Sequence, residues 1–208
     1  MKVKVCGMTD KENVKEVVDA GPDYLGFIFF QGSKRYVGDS RLRSFFESVP
    51  ATIIRTGVFV DEDIKYVVEK AKTFNLGLIQ LHGSESPDYC GAIREKGFNV
   101  VKSFGIAGMD DLERTGVYTD SCDYFLFDSK TDGYGGSGLS FRWDILSGLG
   151  FDKPFFLSGG IGPDDTGLIK ALKHESLYAV DINSRFETSP GIKDAALVRE
   201  FINSLNDR

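Results

Sequence analysis

Tyr24-Leu-Gly-Phe-Ile-Phe-Phe30 runs without a charge between Asp23 and Gln31-Gly-Ser33. A strand with one wet face alternates apolar and polar residues, and this one does not. Such a run reads as a strand covered on both faces, as in a parallel sheet flanked by helices. Gly57-Val-Phe-Val60 and Pro154-Phe-Phe-Leu157 read the same way. Working outward, strands are expected near 2–6, 23–30, 53–60, 77–82, 98–104, 123–128, 154–158 and 177–182.

Helical stripes fall between them. Val14, Val17 and Val18 are spaced i, i+3, i+4, and Ile64, Val67, Val68 and Ala71 extend that spacing to i+7. Tyr89, Ala92 and Ile93 repeat it, as do Val198, Phe201, Ile202 and Leu205. Further helices are expected near 107–117 and 140–148. Thr9-x-x-Glu12 reads as a capping box, Asp61 as the cap of the helix carrying Ile64, and Pro163 as a first helical position. Alternation alone fits a closed barrel or an open doubly wound sheet. Eight βα units with no added domain favour an α/β fold of one domain over 1–208, a (β/α)8 TIM barrel.

The chain has 208 residues, 41% apolar and 27% charged, with a net charge of −6. That balance suits one globular core and argues against a nucleic-acid or polybasic membrane surface. An anionic ligand would need local donors. No apolar run approaches the ~20 residues that span a bilayer, and the N-terminus reads as a strand with no signal peptide. Cys6, Cys90 and Cys122 are few and far apart, which fits a reducing cytoplasm better than a disulfide framework. No His/Glu/Cys cluster has metal spacing, so no metal is expected, and a thiol and a carboxyl able to move protons at the strand ends suggest an isomerase that needs no cofactor. The expected partner is a small molecule, with the protein a monomer or homodimer.

Chemistry in parallel α/β folds gathers where strands end. Cys6 ends the first strand, on the same face as Lys2 and Lys4 by the two-residue period. A nearby ammonium and the start of the next helix would both lower its pKa; the alternative is an inert buried thiol. Asp128 ends the sixth strand and, if desolvated, would hold a proton as a general acid does; the alternative is a loop cap. Ser158-Gly-Gly-Ile-Gly162 and Asp181-Ile-Asn-Ser-Arg185 follow strands seven and eight, where barrels place phosphate. Asp132-Gly-Tyr-Gly-Gly-Ser-Gly138 offers close backbone approach to a ligand, or a lid. Arg35 could grip a carboxylate with two prongs, or simply face solvent. His82 could meet substrate or be structural, and His174 reads as a surface residue.

These residues lie within segments that closely resemble phosphoribosylanthranilate isomerase along nearly the whole chain. They are Lys4-Val-Cys-Gly-Met-Thr9, Leu25-Gly-Phe-Ile-Phe30, Ser33-Lys-Arg-Tyr-Val37, Gly57-Val-Phe-Val60, Gln80-Leu-His-Gly83, Phe127-Asp-Ser129, Gly135-Gly-Ser-Gly138, Leu157-Ser-Gly-Gly160 and Val180-Asp-Ile-Asn-Ser184. Their order, one at nearly every strand end, is the specific signal. The resemblance implies a TIM barrel of tryptophan biosynthesis that works without cofactor or metal. It implies Cys6 as general base, Asp128 as general acid and Arg35 as the anthranilate carboxylate ligand. It also implies Gly159, Gly160, Asp181, Asn183 and Ser184 as the phosphate loops. Two departures stand out: Lys34 where the family commonly has proline, which frees the loop before Arg35, and Asp165 where it often has asparagine. The related isomerase of histidine biosynthesis resembles a pattern with aspartate closing strand one, which Cys6 opposes. A phosphate-binding barrel without catalysis would tolerate loss of Cys6 and Asp128.

Overall fold

The computed structural model describes residues 1–38, 46, 48–129, 143–148 and 153–207. The glycine-rich stretch 132–138 and the first residues of the helix expected near 140–148 lie outside them. Eight parallel strands close into a barrel in sequence order: β1 (Lys2–Cys6), β2 (Tyr24–Ile28), β3 (Ile54–Phe59), β4 (Leu78–Leu81), β5 (Val100–Ile106), β6 (Tyr124–Ser129), β7 (Phe155–Leu157) and β8 (Leu177–Ile182). Each expected strand is present. β1 closes the ring against β8 with Lys4 opposite Asp181.

Alternate positions along each strand separate two cores. Val3 and Val5 of β1, Leu25 and Phe27 of β2 and Phe125 and Phe127 of β6 are buried in the core between sheet and helices. That core takes Val14 and Val17 of α1 (Lys11–Val18), Val67 and Ala71 of α2 (Ile64–Thr73) and Ile93 of α3 (Pro87–Arg94). A second core of Tyr24, Leu78, Val101, Leu126, Phe156 and Ala179 fills the barrel interior, with Tyr124 and Tyr178 packed on it. The Tyr24 and Tyr178 hydroxyls share a hydrogen bond of 2.9 Å there. This aromatic plug fills the barrel interior below the C-terminal rim.

The helix starts differ by a residue or two from expectation. α1 is capped by Asp10, whose side chain accepts from the Asn13 N–H, while the Thr9 hydroxyl donates to the Gly191 carbonyl. The tie to Gly191 takes Thr9 out of the capping position, and Glu12 pairs with Lys15 instead. α2 is capped by Asp63, not Asp61. Asp61 has φ 51° and accepts from the Ser84 N–H and hydroxyl, joining loops three and four. Pro163 does occupy a first helical position, and Asp165 accepts from the Gly162 N–H at 2.6 Å. The expected helices near 107–117 and 140–148 are a short α4 (Met109–Glu113) running into a 3-10 turn, and a 3-10 turn at Trp143–Gly148. The chain ends in α5 (Thr166–Ala171), a hairpin of β9 (Glu187–Ser189) and β10 (Ile192–Lys193), and α6 (Ala195–Leu205). No described helix is long and apolar enough to cross a membrane.

Candidate active site

A cavity opens at the strand C-termini, with about 780 Å³ of empty space when the open solvent at its mouth is included. Its walls include Cys6, Arg35, His82, Asp128, Gly159, Gly160, Asp181, Asn183 and Ser184, every site residue expected from sequence. The two-residue strand period explains the convergence. Lys4 and Cys6, Gln80 and His82, Leu126 and Asp128, and Asp181 and Asn183 are i, i+2 pairs on inward faces. β1 and β6 stand three strands apart around the ring, so Cys6 and Asp128 approach the cavity from different walls.

Cys6 has room for its thiol because Gly26 lies opposite it on β2. A Cβ on Gly26 would meet Cys6 Sγ at 2.7 Å and Cys6 Cα at 3.0 Å. Gly26→Ala should therefore displace the thiol. If Cys6 takes part in the reaction, kcat should fall about tenfold to a hundredfold, because misplacing a reacting group by an ångström is that costly. Unchanged kcat in a folded G26A protein would detach the thiol from the chemistry.

Below Cys6, Lys4 is fully buried and donates to Asp181 Oδ2 at 2.8 Å. Burial opposes charge on Lys4, but Asp181 and Cys6 more than offset it and the ammonium is retained. Asp181 is thus a residue of β8 paired inside the barrel. β8 runs through Ile182, as the expected strand at 177–182 has it, and the loop after it begins at Asn183. Asp181 Oδ1 is buried without a hydrogen-bond partner in the protein.

Electrostatics reverses one expectation and supports another. The Cys6 thiol is pushed up, not down: burial dominates, and Lys4 and Lys193 only partly restore it. Removing a thiolate from water costs more than one ammonium returns. Asp128 is pushed up to about 6 by burial, and the Ser129 N–H donating to its Oδ1 at 2.7 Å limits the rise. His82 is lowered to about 4 by burial, with Lys102 and Lys4 adding to the effect, so its ring is neutral. Its Nδ1 lies 3.0 Å from Gln80 Nε2 and its Nε2 lies 3.8 Å from Asp128 Oδ2. His174 is half-buried against the Phe155 ring rather than at the surface, and its Nδ1 accepts from the Ser176 N–H.

Gly159 and Gly160 have φ of 89° and 70°, a left-handed pair only glycine adopts readily. A Cβ on Gly159 would lie 2.5 Å from the Ser129 backbone nitrogen. Arg185 reaches from the loop after β8 to the Gly160 carbonyl at 2.9 Å and joins the two rim loops. Arg35 makes its two-pronged contact inside the protein, to Glu187 at 2.8 and 2.7 Å. The looser backbone that Lys34 brings is thereby offset at the side chain. Glu187 and Lys193 were missed in the sequence. The signal was a Pro-Gly turn at Pro190-Gly191 between two charged residues that the hairpin then buries.

The family model described as N-(5'phosphoribosyl)anthranilate (PRA) isomerase matches residues 3–204. The N-(5'-phosphoribosyl)anthranilate isomerase of Phocaeicola vulgatus is 45% identical over 208 residues, covering 100% of this chain and 99% of its own. Among solved structures, phosphoribosyl anthranilate isomerase from Thermotoga maritima is 33% identical with a TM-score of 0.90, covering 100% of both chains. A phosphoribosyl anthranilate isomerase solved with reduced 1-(o-carboxyphenylamino)-1-deoxyribulose 5-phosphate is 29% identical with a TM-score of 0.86, again over 100% of both chains.

Proposed function

The chain belongs to the N-(5'-phosphoribosyl)anthranilate isomerase family, and from that premise we propose that it performs the Amadori rearrangement of N-(5-phosphoribosyl)anthranilate to 1-(2-carboxyphenylamino)-1-deoxyribulose 5-phosphate in tryptophan biosynthesis. Protonated Asp128 donates to the ribose ring oxygen, the C1′–O bond breaks, and the chain opens as a Schiff base. The Cys6 thiolate then takes the C2′ proton. The electron pair moves to the nitrogen, giving an enolamine that tautomerises to the ketone. No net oxidation occurs, since C1′ is reduced as C2′ is oxidised.

The observation that carries this reading is the placement of a proton-holding carboxyl and a thiol on different walls of one cavity rimmed by glycine loops. The phosphate is assigned to Gly159, Gly160, Asn183 and Ser184 after β7 and β8, where backbone N–H groups suit an anion. The anthranilate carboxylate is assigned to Arg35, and a hydrogen bond to substrate to His82. An orphaned Asp181 Oδ1 on the cavity wall is suited to accept a sugar hydroxyl, not to meet phosphate.

The test is optical. N-(5-phosphoribosyl)anthranilate made in situ should lose its fluorescence on adding the protein, at a rate proportional to enzyme. A trace no faster than the spontaneous decay would refute the assignment.

The two shifts also predict the pH profile. The working form needs Asp128 protonated and Cys6 ionised, yet Asp128 titrates near 6 and the thiol above its ordinary ~8.5. Between those values one group loses its proton as fast as the other gains reactivity. So kcat/KM should rise to about pH 6, stay flat, and fall only above the thiol pKa, with only a small fraction of molecules in the working form at any time. Measured kcat/KM that keeps rising well above pH 6 would reject the Asp128 titration.

A further inference from the structure

A guanidinium has two edges that can fork onto a carboxylate: Nε with Nη2, and Nη1 with Nη2. On Arg35 the first edge is filled. Nε donates to Glu187 Oε1 at 2.8 Å and Nη2 to Oε2 at 2.7 Å. Glu187 is itself fixed. Its Oε1 also accepts from Lys193 Nζ at 2.6 Å and from the Gly191 N–H at 3.0 Å. Lys193 is buried and also donates to Asn183 Oδ1 at 2.6 Å. Gly7 also closes on the arginine stem, since a Cβ there would lie 2.6 Å from Arg35 Cδ. The cluster of Arg35, Lys193 and Glu187 thus has two basic side chains and one carboxylate, so a second carboxylate would balance it.

We propose that Glu187 is a positioning residue: by occupying the Nε edge of Arg35 it leaves the Nη1–Nη2 edge as the one offered to the substrate's carboxylate. This deepens the reading of Arg35 above and rests on it. Glu187 lies on the β9–β10 hairpin, outside the closed barrel, so changing it leaves the barrel ladders intact. A glutamine at 187 would turn an amide N–H2 toward donors and break the fork.

The experiment is calorimetric titration with two ligands, reduced 1-(o-carboxyphenylamino)-1-deoxyribulose 5-phosphate and its phenylamino analogue without the carboxylate. The unchanged protein should bind the first about tenfold to a hundredfold more tightly, the worth of a charge-assisted contact. In Glu187→Gln that preference should shrink at least tenfold while the analogue binds within about twofold of before. Saturating turnover should fall far less than kcat/KM. Glu187→Asp keeps the charge for Lys193 but loses the fork's reach. It should fall between the two, and it serves if the glutamine variant does not fold. Equal binding of both ligands by the unchanged protein would overturn the Arg35 reading and this proposal with it. A clear preference that persists in both variants would overturn the positioning role of Glu187 alone.

Discussion

Asp128→Asn is expected to lose about 10²–10⁴-fold in kcat, the usual worth of a general acid, with substrate affinity nearly unchanged. Asparagine matches the carboxyl in shape but has no proton acidic enough to open the ribose ring. The variant's residual kcat/KM should also lack the break near pH 6. A second effect runs the other way. Asp128 holds its proton up to about 6 in the folded protein against an ordinary value of 3.8. A folded pKa above the unfolded one favours the native state at low pH, and that advantage disappears as pH rises through about 6. Above that, the buried carboxylate costs the fold up to about 3 kcal/mol. Asp128→Asn should therefore unfold at higher denaturant than the unchanged protein at pH 8, and show no such gain at pH 4. Wild-type turnover in the variant would remove Asp128 from the mechanism. Equal stability at both pH values would instead show that the group is not desolvated.

Cys6→Ser should be comparably damaged, with kcat down about 10²–10⁴-fold. A serine hydroxyl is far less acidic than a thiol, and the same burial that raises the Cys6 pKa opposes an alkoxide. The oxygen is smaller than sulfur and shares its wall with Lys4, so the fold should survive. Cys6→Ala should be no worse than Cys6→Ser if the side chain acts only as a base. Substrate binding, measured with the reduced product analogue, should hold within a few fold in both. A serine variant with full turnover would assign the C2′ proton to another group.

Much of this was legible in the residues themselves. Tyr24–Phe30 shows a strand buried on both faces because local hydrophobicity reports burial directly. Cys6 and Asp128 were legible because each ends an apolar run, and the two-residue period sends each inward. Helix caps were less so. Thr9 and Asp61 carry the right chemistry but are claimed by Gly191 and Ser84, partners distant in the chain. The partner of Asp181 was not legible, because Lys4 lies 177 residues away and only the closure of β8 on β1 brings the two together.

What the chain determines alone is the order of buried strands, the polar groups at their ends, and hence the rim on which chemistry collects, because periodicity and apolar runs act between near neighbours. What the tertiary structure decided is the state of those groups. The thiol holds its proton more tightly, Arg35 has one edge engaged by Glu187, and Lys4 is charged against Asp181. Desolvation and ion pairing sum over everything packed around an atom, and the pairs Lys4–Asp181 and Arg35–Glu187 each join residues more than 150 apart in sequence.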